Sequence, residues 1–250
     1  MFELLFLGTA GARYVVAKQL RASGGILLKS GDDYLLLDPG PGALIQLTKN
    51  KIPVEKIKTL IVSHKHLDHS ADLNILVDAL TEGGFKKKGT LFITEEALTE
   101  GILLSYLKNC LREIILLKEK SFYQSGAFKF YTTLPLKHEA EVYGLIFETP
   151  TLKKLGFIID TAYFEGLAEE FRESSYLVIN VVRFEPKPGV MHLSVPDVKL
   201  LLKTLRPELT ILTHFGMTML KQNPFKIAQS LSSELELKVM AAYDNMRIEL

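Results

Sequence analysis

Cysteine is almost missing from this chain. Cys110 stands alone among 250 residues, so no internal disulfide can form. The surrounding stretch EEALTEGILLSYLKNCLREI reads as helical, with Cys110 a buried structural thiol and no catalytic role. Long apolar runs are missing too. No stretch approaches the ~18 residues needed to span a bilayer, and the opening MFELLFLGTAGAR has neither a basic n-region nor an apolar part long enough for a secretion signal. A cytoplasmic location, away from membranes, is the expectation. An excess of either charge is also absent: 30 basic and 29 acidic residues leave a formal charge of +1, which neither advertises a nucleic-acid surface nor excludes a local basic patch. No Pro/Gly/Ser-rich linker, low-complexity tract or short tandem repeat divides the chain. With 47% hydrophobic residues there is material for a substantial core, and a single domain over residues 1–250 is the better reading.

What is present in quantity is short β-branched and leucine-rich runs. FELLFL, GILLKS, DYLLLD, TLIVS, TLFIT, IILLK and FKFYTTL read as strands, followed by VYGLIFE, KLGFIID, YLVINVV, LTILTH, KVMAAY and MRIEL. Helical patterns lie between some of them: GALIQLTKN, ADLNILVDALTEG, the stretch through Cys110, SVPDVKLLLKTL and NPFKIAQSLSSEL. Ser194 and Asn223 are candidate N-caps of the last two, and Pro224 suits a first helical position. Two β-rich halves flanked by helices point to two stacked sheets with helices outside. That is an α/β fold, an αββα four-layer sandwich whose site lies where strands end.

Histidine is scarce, six in all, yet three of them and an aspartate fall within IVSHKHLDHS, residues 61–70. A strand ending at His64 and continuing as an extended turn points His64 and His66 to one side, because side-chain direction repeats every two residues. Those two can share one metal ion, while Asp68 and His69 can face a second. Zinc takes nitrogen and oxygen ligands in about four-fold coordination, and a catalytic ion keeps one position open, so further ligands are required. Strand ends offer His138 in PLKHEAEVYG, Asp160 in LGFIIDTAY and His214 in LTILTHFG. A carboxylate at Asp160 could bridge two ions roughly 3.5 to 4 Å apart. Each has an ordinary alternative. A lone histidine is more often structural or solvent-facing, Asp160 could cap a following turn, and His192 in VMHLSVPDV could decorate a loop. The lysines at 86–88 read most simply as a solvated turn.

The order of these elements resembles the metallo-β-lactamase superfamily, and within it the ribonuclease Z and cyclic-phosphodiesterase branch. FLGTAGAR from 6 and LLLDPGPGAL from 35 are similar to the family's opening strand-and-glycine loop and its Asp-x-Gly-x-Gly turn, and HKHLDH matches its metal signature. The resemblance implies the αββα sandwich of the metallo-β-lactamase type. It also implies two divalent metal ions, zinc first with iron or manganese as alternatives. His64, His66 and His138 would hold one ion, Asp68, His69 and His214 the other, with Asp160 shared. His192 falls where ribonuclease Z-like enzymes keep a non-ligand histidine facing the scissile group.

Two departures narrow the substrate. His138 and Asp160 are only 22 positions apart, which leaves no room for the tRNA-gripping arm that ribonuclease Z enzymes carry there. Asn180 and Val181 stand near the place of a glutamate that supports the catalytic histidine in those enzymes. The cysteine-rich segment of the branch's small phosphodiesterases is missing too. Transfer RNA is therefore a poor fit, and a small molecule or short nucleotide a better one. The expected reaction is phosphodiester hydrolysis by a metal-bridging hydroxide, with Asp68 as its hydrogen-bond acceptor and His192 assisting the leaving group. Hydrolysis of a lactone, thioester or other carboxylic ester is the alternative, and a non-catalytic metal-binding module the remaining one.

Overall fold

The computed structural model describes residues 2–250. Apolar residues on both faces of successive strands demand cover on both sides. Strands β1 (Phe2–Phe6), β2 (Ile26–Ser30) and β3 (Asp33–Leu37) form an antiparallel meander, and β4 (Ile57–Val62), β5 (Thr90–Ile93) and β6 (Glu113–Leu116) extend it in parallel. Alternation along these strands divides them between two cores: Leu4, Phe6, Leu28, Leu35 and Leu37 face the second sheet, whereas Leu5, Leu27 and Leu36 face helices.

The second sheet repeats the plan. Strands β7 (Phe122–Ser125), β8 (Phe128–Pro135), β9 (Tyr143–Glu148) and β10 (Lys154–Ile158) are antiparallel, and β11 (Ser174–Asn180), β12 (Leu209–Thr213) and β13 (Val239–Ala241) follow in parallel. The last strand, β14 (Met246–Glu249), crosses back to pair antiparallel with β1, Phe6 opposite Met246. Each sheet therefore has seven strands. Phe92 of β5 meets Phe130 of β8 edge-on, with ring centroids 5.1 Å apart. Phe130 in turn stacks on Phe147 at 5.1 Å, so aromatic rings join the two sheets.

Helices α1 (Ala12–Ala17), α2 (Ala43–Lys49), α3 (Leu67–Ser70), α4 (Leu73–Leu80), α5 (Glu95–Thr99) and α6 (Ser105–Lys108) lie in the first half of the chain. Of these, α2, α4, α5 and α6 bury Leu47, Leu76, Ala97 and Leu107 against the first sheet. Helices α7 (Leu167–Glu170), α8 (Val195–Leu205), α9 (Met217–Lys221) and α10 (Pro224–Leu235) contribute Leu167, Leu201, Met219 and Leu231 to the core of the second. The result is the four-layer α/β sandwich that the strand pattern and the resemblance implied.

Two local expectations are corrected. The stretch through Cys110 is not one helix. Gly101 turns left-handed at φ 78° after α5, α6 is a single turn, and Ile114 and Ile115 pair in β6 with β5, as the strand reading of IILLK expects. Cys110 is only partly buried, in the turn after α6, with its Sγ directed at the Tyr106 carbonyl. The strand β7 was not expected; its FYQS pairs with β8 around Gly126 at φ 55°. The N-caps hold: Asn223 Oδ1 accepts from the amides of Phe225 and Lys226, and Ser194 forms a reciprocal capping box with Asp197. Lys86 and Lys88 sit in an outward turn, each paired with Glu82.

Candidate metal centre

The carboxyl ends of parallel strands from both sheets converge on one edge of the sandwich. On the first sheet, β3 runs into Asp38, held left-handed at φ 54°. Its buried carboxylate organises the histidine string. Oδ1 accepts the Ser63 amide at 2.7 Å, and Oδ2 accepts the Ser63 hydroxyl at 2.8 Å and faces His69 Nδ1 at 2.9 Å. The following DPGPG turn packs under the HKHLDH turn. A Cβ on Gly40 would lie 2.1 Å from the Asp68 carbonyl oxygen, so only glycine fits. Asp72 ties the two turns together by accepting the amides of Gly42 and Leu44, both at 3.1 Å.

The second sheet supplies the rest. His138 follows β8, and its Nδ1 meets the Met191 carbonyl at 3.1 Å. That carbonyl can only accept, so the proton sits on Nδ1 and Nε2 presents its lone pair inward. Asp160 follows β10 and takes a 2.9 Å hydrogen bond on Oδ1 from Asn180 Nδ2. His214 ends β12 at φ 59°.

These placements bring all seven expected donors together. His66 Nδ1 lies 3.0 Å from His64 Nε2 and 3.2 Å from His138 Nε2. Beside this trio, Asp160 Oδ2 is 3.3 Å from both His69 Nε2 and His214 Nε2. Asp68 Oδ2 is 3.5 Å from His214 Nε2 and 3.9 Å from His69 Nε2. Three donor sets each fall within 4.8 Å: His64, His66 and His138; Asp68, His69 and His214; and His64, His69 and Asp160, which links the other two. His192 lies outside them, with Nδ1 3.6 Å from Asp160 Oδ2.

Electrostatics favours a cation at this edge. Burial holds His64 well below the usual imidazole range, aided by His69. Burial also lowers His192, against the opposing pull of Asp160, and it lowers His66, aided by the neighbouring imidazole charge. For Asp160 and Asp68, burial favours the protonated form, but the histidines around them outweigh it and both stay below the carboxylate norm. Burial opposes charge on His69, yet Asp38, Asp68 and Asp160 raise it well above its usual value. Three carboxylates thus compete for positive charge at one buried imidazole. The ring nitrogens His69 Nε2, His214 Nε2 and His192 Nδ1 are buried without a hydrogen-bond partner, which is costly unless something else binds them. Nitrogen and carboxylate donors gathered this closely fit divalent cations.

Two residues that shape the centre, Asp38 and Asp72, do not stand out as site residues in the sequence, and Asn180 has a different partner from the one expected. Asp38 had a signal: like Asp160, it directly follows an apolar strand, so its charge needs a buried partner. Asp72 reads as ordinary helix-start polarity. Asn180 was noted only as a possible support for His192, whereas its amide is bonded to Asp160.

The Beta-lactamase superfamily domain matches residues 33–215. An uncharacterized protein of Methanocaldococcus jannaschii is 30% identical over 99% of this chain and 95% of its own length. Ribonuclease Z of Borrelia garinii subsp. bavariensis is 31% identical over 58% of this chain, and that match spans only 48% of the ribonuclease, about half its length. In fold, the metallo-beta-lactamase fold protein YhfI from Bacillus subtilis superimposes with a TM-score of 0.85 over 100% of this chain and 99% of its own, at 20% identity.

Proposed function

The chain belongs to the metallo-β-lactamase superfamily, in its ribonuclease Z-like branch, and from that premise we propose that it is a two-metal hydrolase of phosphodiesters. His64, His66 and His138 would hold one divalent ion and Asp68, His69 and His214 the other, with Asp160 between them; zinc is the first choice, and iron or manganese suit the same donors. Bound there, the ions supply Lewis acidity that acidifies water and neutralises a nonbridging phosphoryl oxygen.

The chain's own groups do the rest. Asn180 fixes one oxygen of Asp160, so the other is presented to the centre at a defined angle. Asp68 accepts a hydrogen bond from the attacking water and turns its lone pair toward phosphorus. His192 donates a proton to the departing alkoxide, so water and diester become monoester and alcohol. His192 is the observation that carries this reading. It stands beside Asp160 outside all three donor sets, with Nδ1 buried and 20% of its side chain still open to solvent. A thioester needs no such acid, since its thiolate departs without a proton. The short connection from His138 to Asp160 favours a small molecule or short nucleotide over transfer RNA.

The test is a turnover screen of metal-replete protein against bis(p-nitrophenyl) phosphate, cyclic nucleotides, lactones and thioesters. Phosphodiesters are expected to be the best substrates. A lactone or thioester turned over faster, with phosphodiesters inert, would assign the acyl-hydrolase alternative, and no turnover of any class at full metal loading would leave a binding module.

A further inference from the structure

His214 sits at φ 59°, in the left-handed region, and a non-glycine residue stays there only where its surroundings enforce it. The enforcing contacts come from the loop at residues 8–11. The Phe215 amide donates to the Thr9 carbonyl at 2.8 Å, and the Gly11 amide donates to the Phe215 carbonyl at 3.1 Å. Gly11 is pressed so close that a Cβ would lie 2.2 Å from the His214 carbonyl oxygen and 2.6 Å from its Cδ2.

That loop lies outside the strands, and one carboxylate holds its shape. Asp244 Oδ1 accepts the amide of Thr9 at 2.9 Å and its hydroxyl at 2.7 Å, while Oδ2 accepts the Ala22 amide at 2.7 Å. The Ala10 amide closes the loop onto the Ala22 carbonyl at 3.0 Å. Asp244 stands in the turn between β13, which pairs with the strand ending at His214, and β14, which pairs with the strand leading to Thr9. It is thus fixed to both sheets where they meet, and hydrogen bonds to an ionised acceptor are stronger than neutral ones.

We propose that Asp244 is a positioning residue for His214, setting the imidazole for the ion shared with Asp68 and His69; this rests on the two-ion reading above. Acting through Thr9 and Phe215, it orients a ligand without touching ion or substrate. Outer partners of metal ligands typically change affinity by about 10- to 100-fold, and only one of the two ions depends on His214.

The experiment titrates metal-free wild type, Asp244→Ala and Asp244→Asn with zinc by calorimetry. Elemental analysis gives the stoichiometry, spectra of ring-15N histidine show which imidazoles are engaged, and thermal unfolding of the metal-free proteins reports the fold. Wild type should take up two ions. Asp244→Ala should keep the ion on His64, His66 and His138 and weaken the other by about 10- to 100-fold, with the His69 and His214 signals lagging. Asp244→Asn keeps an acceptor for Thr9 and loses only the one facing Ala22, so it should show a smaller shift at the same ion. It carries the comparison if the alanine variant does not fold. Two ions bound as tightly as in wild type, or both weakened by the same factor, overturns the proposal. A wild-type chain that takes up a single ion overturns the two-ion reading and the proposal together, and this shows without any variant.

Discussion

His192 and His138 share a neighbourhood but not a role. Their rings lie 5.2 Å apart, yet His138 is locked by the Met191 carbonyl, whereas His192 has no hydrogen bond to its buried Nδ1. If His192 is the acid, His192→Ala should leave metal content near wild type and slow cleavage of an alkyl phosphodiester by ~10² to 10⁴, the span of a positioned general acid. The penalty should shrink as the leaving group becomes more acidic, since a nitrophenolate departs without a proton. Rates measured over a series of leaving groups check this. An equal loss across the series would indicate oxyanion stabilisation instead, and loss of an ion would make His192 a ligand.

Among the elements, α8 matters to the site because it begins three residues after His192 and anchors the loop that carries it. The helix buries Val198, Leu201 and Leu202, and its first turn is closed by Ser194 and Asp197, each accepting from the other's end of the turn. Ser194 is fully buried, and Ser194→Ala removes the cap and takes the hydroxyl donor from the half-buried Asp197. It should cost about 1 kcal/mol and lower Tm by about 2–4 °C in a chain of this size. Urea and thermal unfolding measure this, and an unchanged midpoint would mean that packing alone holds the helix start. The cap was readable in SVPDV because serine, proline and aspartate at those spacings have a local reason to be there. The break of the stretch before Cys110 into two short helices was not, since a helical pattern in a short apolar run does not show where the chain must turn.

Across the whole molecule, the aromatic rings between the sheets keep the two halves of the centre in register. Phe130 is fully buried between Phe92 and Phe147, so Phe130→Ala opens a cavity at the sheet interface. The expected loss is about 3–5 kcal/mol, read from the denaturant midpoint at constant slope. A loss below about 1 kcal/mol would mean that the sheets close over the gap. Such closure would also move β8, and with it His138, relative to His64 and His66 on the other sheet. No helix among the described residues is long and apolar enough to cross a membrane.

The sequence by itself determined the candidate donors and the layers. Six histidines with half of them in ten residues, apolar strands that each end in a donor, and alternating apolar patterns in both halves are local signals. Local signals survive in a one-dimensional string because side-chain direction and strand period are properties of consecutive residues. Only the tertiary structure decided how the donors combine. Asp38 became the hub under His69, Asn180 turned to Asp160 rather than His192, the last strand crossed to β1, and Asp244 came within reach of Thr9, 235 positions away. Those partnerships depend on which strands lie side by side and on how much room each backbone leaves. Long-range packing sets both, and no short stretch of residues encodes either.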